Sequence, residues 1–481
     1  MSIPHSYDES IAVSNESHKA ASRFNQITNE LWFDNSVELV LFRNPLTEIT
    51  TGQLLQYLVY AEKMVEMPMS LNDMITIAQG IKALNLPPAR IDIGKLTARF
   101  LKSNSSSVDE FLKSELDEII NHSHALIARD VVLYGFGRIG RILARELVRQ
   151  FGSGKQLRLK AIVFRGNLTP QEMDRRANNL RYDSIHGFFD GQIECDYENQ
   201  CFIINGVPIQ LIAASSPAEI DYTKYGIHDA IVLDSTGAWR DDVTLAKHME
   251  AKGVDKVLLT APGKNMPNVV FGVNHTHFDI SETKLWSAAS CTTNAITPIL
   301  DVINKEFGID NGHLETIHAY TNDQNLVDNY HKGSRRGRAA ALNMVITETG
   351  AGKAVSKAIP ELAGKLTSNA IRVPVPNGSL VILNLRLGKE TSVEEFNARI
   401  KKACLEGDYV EQITYSMSTE IVSSDIVGAW TPAVFDSPAT QVGKDGKSVV
   451  LYVWYDNEYG YCRQVMKLAK YIAEVFRGSY Y

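Results

Sequence analysis

Apolar residues in the first quarter of the chain recur at three- and four-residue intervals. Met74, Ile77, Ala78, Ile81 and Leu84 share one helical face, behind Ser70-Leu-Asn-Asp73, which resembles a capping box. Pro87 and Pro88 end that helix, since neither has an amide proton to donate. Ser107-Val-Asp-Glu110 is a second start of the same kind, followed by Phe111, Leu112, Leu116, Ile119 and Ile120. The polar run 103–107 reads as the loop between helices. Residues 1–127 are therefore expected to form an all-α unit.

From Arg129 the period changes. Short β-branched runs, Val131–Tyr134, Leu159–Phe164, Ala230–Leu233 and Lys256–Leu259, alternate with helical stretches, the pattern of βαβ units in a parallel sheet. Beyond Cys291 the apolar runs lengthen, to Ser379–Leu387 and Ser448–Tyr455, which suggests a second domain with a mixed sheet. Val465, Leu468, Ala469, Ile472, Val475 and Phe476 return to helical spacing and predict a closing helix.

A chain of 481 residues is long enough for two or three domains. Its net charge of −7, with no sustained basic block, argues against a nucleic-acid partner. Apolar runs such as Leu39–Phe42 and Ala230–Leu233 are far short of a bilayer span, so no membrane segment is expected. The opening MSIPHSYDES lacks the basic and apolar regions of a secretory signal, so a cytoplasmic location is expected. Five cysteines, Cys195, Cys201, Cys291, Cys404 and Cys462, stand at irregular spacing with no C-x-x-C pair, which indicates neither a disulfide framework nor a metal site.

Gly135-Phe-Gly137-Arg138-Ile139-Gly140 follows the strand 131–134 and opens a helix carrying Ile142, Leu143, Leu147 and Val148. Glycines at this spacing allow a tight turn, close approach of a pyrophosphate to the backbone, and close helix packing, while the helix start offers N–H donors. In that context the motif predicts dinucleotide binding rather than a structural turn. The acid that usually accepts from the ribose of NAD about 20 residues later is missing, and the window reads Val163-Phe164-Arg165-Gly166. Arg165 could pair with the 2′-phosphate of NADP; alternatively it is solvated and Glu172 or Asp174 reaches back to the ribose. NAD or NADP is expected, with NADP or dual use favoured.

Ser290-Cys291-Thr292-Thr293-Asn294 precedes Ile296, Pro298, Ile299 and Leu300, which sets Cys291 at or near a helix N-terminus, where the partial positive charge favours thiolate. His318 follows in Thr316-Ile-His-Ala319 and could hold the thiolate and shuttle protons. On their own, a cysteine is more often buried core and a histidine more often structural.

Six motifs in order, 135–141, Asp234-Ser-Thr-Gly237, Ser290-Cys-Thr-Thr-Asn294, His318-Ala-Tyr-Thr-Asn-Asp-Gln324, Arg372-Val-Pro-Val-Pro376 and Trp454-Tyr-Asp-Asn-Glu458, resemble the phosphorylating glyceraldehyde-3-phosphate dehydrogenase family from about Val131 to Phe476. The resemblance implies an α/β fold: a Rossmann doubly wound parallel-sheet cofactor domain, 128–290, completed by a C-terminal helix at 457–481, and an α+β mixed-sheet catalytic domain, 291–456. Both follow the all-α extension, 1–127. It implies that Cys291 adds to an aldehyde, that His318 acts as general base, and that a thioester is attacked by inorganic phosphate. Ser235, Thr236 and Thr260 would line the cofactor cleft, Asn457 would hold the nicotinamide amide, and Tyr461 would stack nearby. Thr321, Asp323 and Arg372 would bind the substrate's phosphate. Ser290, Thr292, Thr349 and one of Arg335 or Arg336 would bind the attacking phosphate, a task suited to hydroxyls and guanidinium forks. A homotetramer working in glycolysis or gluconeogenesis is the family's precedent.

Three features depart from the family. The ribose acid is missing, and the stretch from Gly166 to Arg181 reads as a loop longer than usual. Ala295 replaces a second cysteine that takes no part in the chemistry. The extension is additional and is expected to have a docked structural or regulatory role. Two rival readings remain: an erythrose-4-phosphate dehydrogenase, which would hydrolyse its thioester, and an inactive regulatory or binding protein on the same fold.

Overall fold

The computed structural model describes residues 6–103, 105–121, 126–475 and 477–481. Asn104 of the polar loop, Phe476 of the closing apolar run and the first five residues of the opening lie outside the described residues, as do residues 122–125. The chain divides into two units, one of Met1–Ala128, Phe151–Gln156 and Val475–Tyr481, the other of Arg129–Gln150 and Leu157–Glu474. Among the described residues no helix is long and apolar enough to cross a membrane.

In the first unit the elements run α1 (Tyr7–Asn35), β1 (Glu38–Leu41), β2 (Asn44–Pro45), α2 (Thr51–Val65), α3 (Leu71–Ala83), β3 (Ala89–Asp92), α4 (Ile93–Lys102), α5 (Val108–Glu115) and α6 (Asp117–Asn121). Two of its helices, α3 and α5, start where the sequence predicts. Ser70 accepts from the Asp73 amide at 3.1 Å, and Ser107 from the Glu110 amide at 3.3 Å, each filling a donor that the first turn leaves open. Met74, Ile77, Ala78 and Ile81 are fully buried.

The all-α expectation for this unit needs one correction. The helices pack with a four-stranded sheet in the order β2-β1-β3 and then Gly478–Tyr480, the end of the chain. The last strand pairs parallel with β3, Gly478 opposite Ala89 and Tyr480 opposite Ile91. Arg477 reaches Glu38 at 2.6 Å, and the Tyr480 hydroxyl donates to Glu115 at 2.6 Å while accepting from Arg99. The strands hold two to four residues and β1 is buried throughout, so no alternation marks them. Their fourth member arrives from the opposite end of the chain.

The second unit begins with β4 (Arg129–Tyr134), α7 (Arg138–Arg149), β5 (Leu157–Phe164), α8 (Pro170–Arg181), the small hairpin β6 (Tyr182–Asp183) and β7 (Gly187–Phe188), then β8 (Ile193–Asp196), β9 (Cys201–Ile204), β10 (Val207–Ala213), β11 (Ala230–Asp234), α9 (Asp242–Leu245), β12 (Val254–Leu259) and β13 (Leu285–Ser287). Eight of these strands form one sheet in the order β13-β12-β11-β4-β5-β10-β9-β8, parallel except at the β10-β9-β8 edge. The winding reverses between β4 and β11, which creates the crevice at their carboxyl ends where such sheets hold ligands. The stretch after Gly166, expected as a loop, is α8: Thr169 caps it, accepting from the Glu172 amide, and Pro170 at its first position needs no amide partner.

The remaining elements are α10 (Cys291–Phe307), β14 (Ile309–Ala319), β15 (Val345–Thr347), α11 (Ala351–Ala358), β16 (Leu366–Val373), β17 (Ser379–Leu387), α12 (Val393–Leu405), β18 (Ile413–Ser416), β19 (Ala433–Asp436), β20 (Gln441–Val442), β21 (Ser448–Tyr455) and α13 (Tyr459–Ile472). A mixed sheet runs β15-β16-β14-β17-β21-β19-β18. The helix spans Tyr459–Ile472, and Gly478–Tyr480 is a strand, so among the described residues the helix expected over 457–481 stops at Ile472.

Helix α13 is clamped to α7 by charge. Glu146, 2% exposed, takes Arg463 at 2.6 Å, Arg149 at 2.9 Å and the Tyr459 hydroxyl at 2.9 Å. Both guanidiniums lie against the Trp430 ring, at 4.1 and 4.3 Å from its centroid. Burial alone would raise this carboxyl, but the charges of Arg149 and Arg463 overcome it and hold Glu146 at about 2. Glu146→Ala would leave Arg463 buried without its counter-charge, so the variant is expected to lose about 3–5 kcal/mol in a urea titration. A loss below about 1 kcal/mol would show that the clamp contributes little.

Candidate active site

Two groups of residues in the second unit carry the candidate chemistry, one at the carboxyl end of β4 and one at the start of α10. At the first, Gly135 has φ +103 as the chain leaves β4, a conformation L side chains avoid. A Cβ on Gly140 would lie 2.3 Å from the Gly135 carbonyl oxygen and 2.8 Å from Ser235 Oγ, whereas one on Gly137 would meet nothing within 4 Å. Glycine is thus needed at 135 and 140 for packing, and Gly137 leaves open the approach to the amides of Arg138 and Ile139 at the start of α7. This shape suits a pyrophosphate at a helix N-terminus.

Across the crevice Asp234 ends β11 and organises the next turn. Its Oδ1 accepts from the Thr236 amide at 2.8 Å and Oγ1 at 2.7 Å, and its Oδ2 meets His248 Nε2 at 3.0 Å. Ser235 Oγ donates to the Gly135 carbonyl at 3.0 Å, and the Thr260 amide to the Asp234 carbonyl at 2.9 Å. Ser235 and Thr236 therefore border the glycine turn, and Thr260 stands beside Asp234 at the end of the neighbouring strand. Arg165 follows β5 and is exposed. Arg138 is differently engaged from a free phosphate ligand: its guanidinium is forked on Glu458 and reaches Asp183 at 3.3 Å, with His186 Nε2 at 2.9 Å from the same Glu458.

Cys291 is the first residue of α10. Ser290 caps the helix, its Oγ accepting from the Thr293 amide at 3.1 Å, so the sulfur sits at the positive end of a 17-residue helix. Its Sγ is 3.6 Å from His318 Nε2. His318 comes from β14, whose parallel register sets it beside Arg372 of β16. That pairing explains why Arg372 Nη1 lies 2.6 Å from His318 Nδ1 and donates to the Ala319 carbonyl at 3.0 Å. His318 Nδ1 is also 2.7 Å from that carbonyl, and Nε2 is left facing the sulfur.

Burial first, and then the charge of Arg372, drives His318 down to about 3, so the ring is neutral near pH 7. Burial pushes the Cys291 thiol up, against the opposing charge of Arg372 and hydrogen bonds at Thr292. Arg372 feels Arg336 and Asp323 as well, and burial lowers its own value. A neutral imidazole facing a thiol, with a guanidinium behind, can accept and return a proton.

Tyr455, at the end of β21, was not singled out from the sequence. Its buried hydroxyl joins Thr292 Oγ1 at 3.0 Å and Thr316 Oγ1 at 2.8 Å, and its ring meets His318 edge-on. It ties the nucleophile's helix to the histidine's strand. Asn457 Oδ1 accepts from Ser379 Oγ, whose oxygen in turn takes the Ala319 amide. Tyr461 donates to the carbonyl of Ala289 at 3.0 Å, and Ala289 has φ +54, a strained value two residues before the sulfur.

Among the expected phosphate ligands, Asp323 and Arg336 pair at 2.7 Å. Thr292 is turned to Tyr455, and Thr349 Oγ1 accepts from the Ala351 amide before α11. Arg335 is exposed and Thr321 half-buried. Arg372 joins the Asp323–Arg336 group to the Cys291–His318 pair through charge.

Residues 129–242 match the NAD-binding domain of glyceraldehyde 3-phosphate dehydrogenase, and residues 290–457 match its C-terminal domain. A glyceraldehyde-3-phosphate dehydrogenase 1 of Bacillus subtilis (strain 168) is 41% identical over 349 residues, covering 72% of this chain and 99% of its own. The chain belongs to the glyceraldehyde-3-phosphate dehydrogenase family. The family's enzyme of Geobacillus stearothermophilus is 40% identical over 348 residues, again 72% of this chain and 99% of the relative. A glyceraldehyde-3-phosphate dehydrogenase-like protein of Pseudomonas aeruginosa (strain UCBPP-PA14) is 50% identical over 411 residues, 85% of this chain and 88% of that one. That match is longer than the segment from Arg129 to Tyr481, so this family member shares part of its extension with a relative. The two matched ranges include the glycine turn and Ser290-Cys291 respectively.

Proposed function

We propose that the protein is a phosphorylating glyceraldehyde-3-phosphate dehydrogenase in which Cys291 is the nucleophile and His318 the base. The observation that supports this most is the 3.6 Å approach of Cys291 Sγ to a neutral His318 at a helix N-terminus. The thiol adds to the aldehyde carbon, and its proton passes through His318 Nε2 to the new hydroxyl. A bound nicotinamide dinucleotide supplies the hydride acceptor. As the hydride leaves, His318 takes the hydroxyl proton, and Cys291 is left as a thioester. Inorganic phosphate attacks the thioester carbonyl, the Cys291 sulfur departs with the proton from His318, and the product is an acyl phosphate, 1,3-bisphosphoglycerate.

In this reading Arg372, Thr321 and Asp323 receive the substrate's phosphate, and Ser290, Thr292, Thr349 and Arg336 the attacking one. Gly135, Gly137, Arg138, Ile139 and Gly140, with Ser235, Thr236, Thr260, Asn457 and Tyr461, receive the dinucleotide. The domains divide at 127/128 and 290/291, with α13 completing the cofactor domain. Turnover of glyceraldehyde 3-phosphate and erythrose 4-phosphate, compared side by side, tests the substrate. A large preference for the four-carbon aldehyde would favour the rival dehydrogenase.

Arg165 favours NADP, because a guanidinium where a carboxylate would stand attracts a 2′-phosphate. Arg165→Asp is expected to shift the NADP to NAD ratio of kcat/KM toward NAD by about 10-fold or more, the scale of one charge-assisted hydrogen bond. An unchanged ratio would put the determinant elsewhere. Leu326, Tyr330, Leu342, Met344 and Ile346, all exposed within one segment of the second unit, support a homotetramer that covers them. A monomer by light scattering would contradict that assembly.

A further inference from the structure

The carboxyl end of β5 is where a doubly wound sheet receives the adenosine ribose of a dinucleotide. The chain there runs Phe164, Arg165, Gly166 and on to the cap of α8. Two turns into that helix, Arg176 comes back to the same spot. Its guanidinium lies over the Phe164 ring, 3.8 Å from the centroid, and its Nη2 donates to the Arg165 carbonyl at 3.2 Å. Gly166 has φ +110, and a Cβ built on it would meet Arg176 Nη2 at 3.5 Å and nothing else within 4 Å. The result is a notch with a bare glycine floor and the Arg176 guanidinium beside it, while the exposed Arg165 side chain lies over the Trp239 ring, 5.8 Å from its centroid. Arg176 Nε is buried and has no hydrogen-bond partner.

Of the two acids that could reach back to a ribose hydroxyl, Asp174 is turned away to Tyr197, and Glu172 stays beside the Arg176 guanidinium. Glu172 pairs with Arg175 at 2.8 Å and stands 3.9 Å from Arg176, and Asp174 accepts from the Tyr197 hydroxyl at 2.9 Å. A ribose 2′-hydroxyl has no charge to offer the notch. A 2′-phosphate has two, and a guanidinium already resting over a ring and tied to a carbonyl loses little freedom in binding it.

We propose that Arg176 is a second anchor for the 2′-phosphate of NADP and, together with Arg165, sets the coenzyme preference. This rests on the reading of the protein as a nicotinamide-dinucleotide enzyme that favours NADP. Loss of one charge-assisted contact corresponds to about 10- to 100-fold in affinity.

The test is equilibrium binding without substrate, followed by quenching of protein fluorescence, for NADP, NAD, 2′,5′-ADP and 5′-AMP. The wild type is expected to bind NADP more tightly than NAD and 2′,5′-ADP more tightly than 5′-AMP. Arg176→Gln is expected to shrink both ratios by about 10- to 100-fold, and Arg176→Lys, which keeps charge but not the fork, by less. A wild type that binds NADP and NAD equally overturns the coenzyme reading and this inference with it. A wild-type preference that survives Arg176→Gln overturns the role of Arg176 alone. Should Arg176→Gln lose all four ligands, Arg176→Lys decides: a reduced ratio supports the anchor, and an unchanged one overturns it.

Discussion

Cys291→Ser is expected to cut turnover on the order of 10⁴- to 10⁶-fold, the scale seen when an enzyme loses its nucleophile. The hydroxyl would occupy the same place at the capped start of α10 and the same 3.6 Å approach to His318. What changes is acidity. An imidazole held at about 3 is a weak base that can assist a thiol but not the far less acidic alcohol. The measurement is steady-state turnover together with intact mass after mixing with substrate, where the wild type alone should gain an acyl group. Turnover above about a hundredth of wild type would place the nucleophile elsewhere.

His318→Asn is expected to slow turnover by about 10²- to 10⁴-fold, the usual loss for a positioned acid/base. Asparagine fills similar space but cannot carry the proton between sulfur and substrate. Near-normal turnover would remove His318 from the mechanism. Arg372 is one cause of the low basicity of this ring. On the proposed binding of the substrate's phosphate at Arg372, that dianion would cancel part of the charge and make the imidazole a stronger base with substrate bound.

The same variant carries a stability signature. His318 has a folded value of about 3 against an ordinary 6.5. As the pH falls below 6.5 the unfolded chain takes a proton that the folded protein refuses, so the contribution of this residue is intact above 6.5 and lost on the way down to about 3. Asparagine does not titrate. His318→Asn should therefore lose less stability than the wild type over that span, and equal losses would show that the ring is not held neutral.

The legible parts of this protein were those with local rules. The glycine turn could be read because its spacing encodes close backbone approach, and the contacts at Gly140 show the constraint. The strands Ser379–Leu387 and Ser448–Tyr455 have the bounds their composition suggested, and Ser70 and Ser107 cap helices as their neighbours required. Cys291 stands at a helix start because Ser290 is a capping residue ahead of an apolar run.

The illegible parts depend on distant partners or, at α8, on a short local signal. Nothing near Glu38 announces that Arg477 will meet it, and the first unit's sheet closes with residues from the far end of the chain. Nothing beside the glycines announces that Glu458, three hundred and twenty positions later, takes the Arg138 guanidinium. Tyr455 lies inside a motif read for its neighbours, and only the sheet register brings its hydroxyl to Thr292 and Thr316. Helix α8 did have a local signal, since Thr169-Pro170 with Glu172 two residues on is a helix start. Reading it as a loop concealed Arg176.

The central claim is that a thioester on Cys291 is resolved by phosphate. Its most direct test is oxidation of glyceraldehyde 3-phosphate by the purified full-length protein, with NAD and NADP in parallel, each with and without inorganic phosphate. The account predicts sustained turnover only when phosphate is present, with an acyl phosphate as product. Equal turnover without phosphate, yielding the free acid, would contradict it.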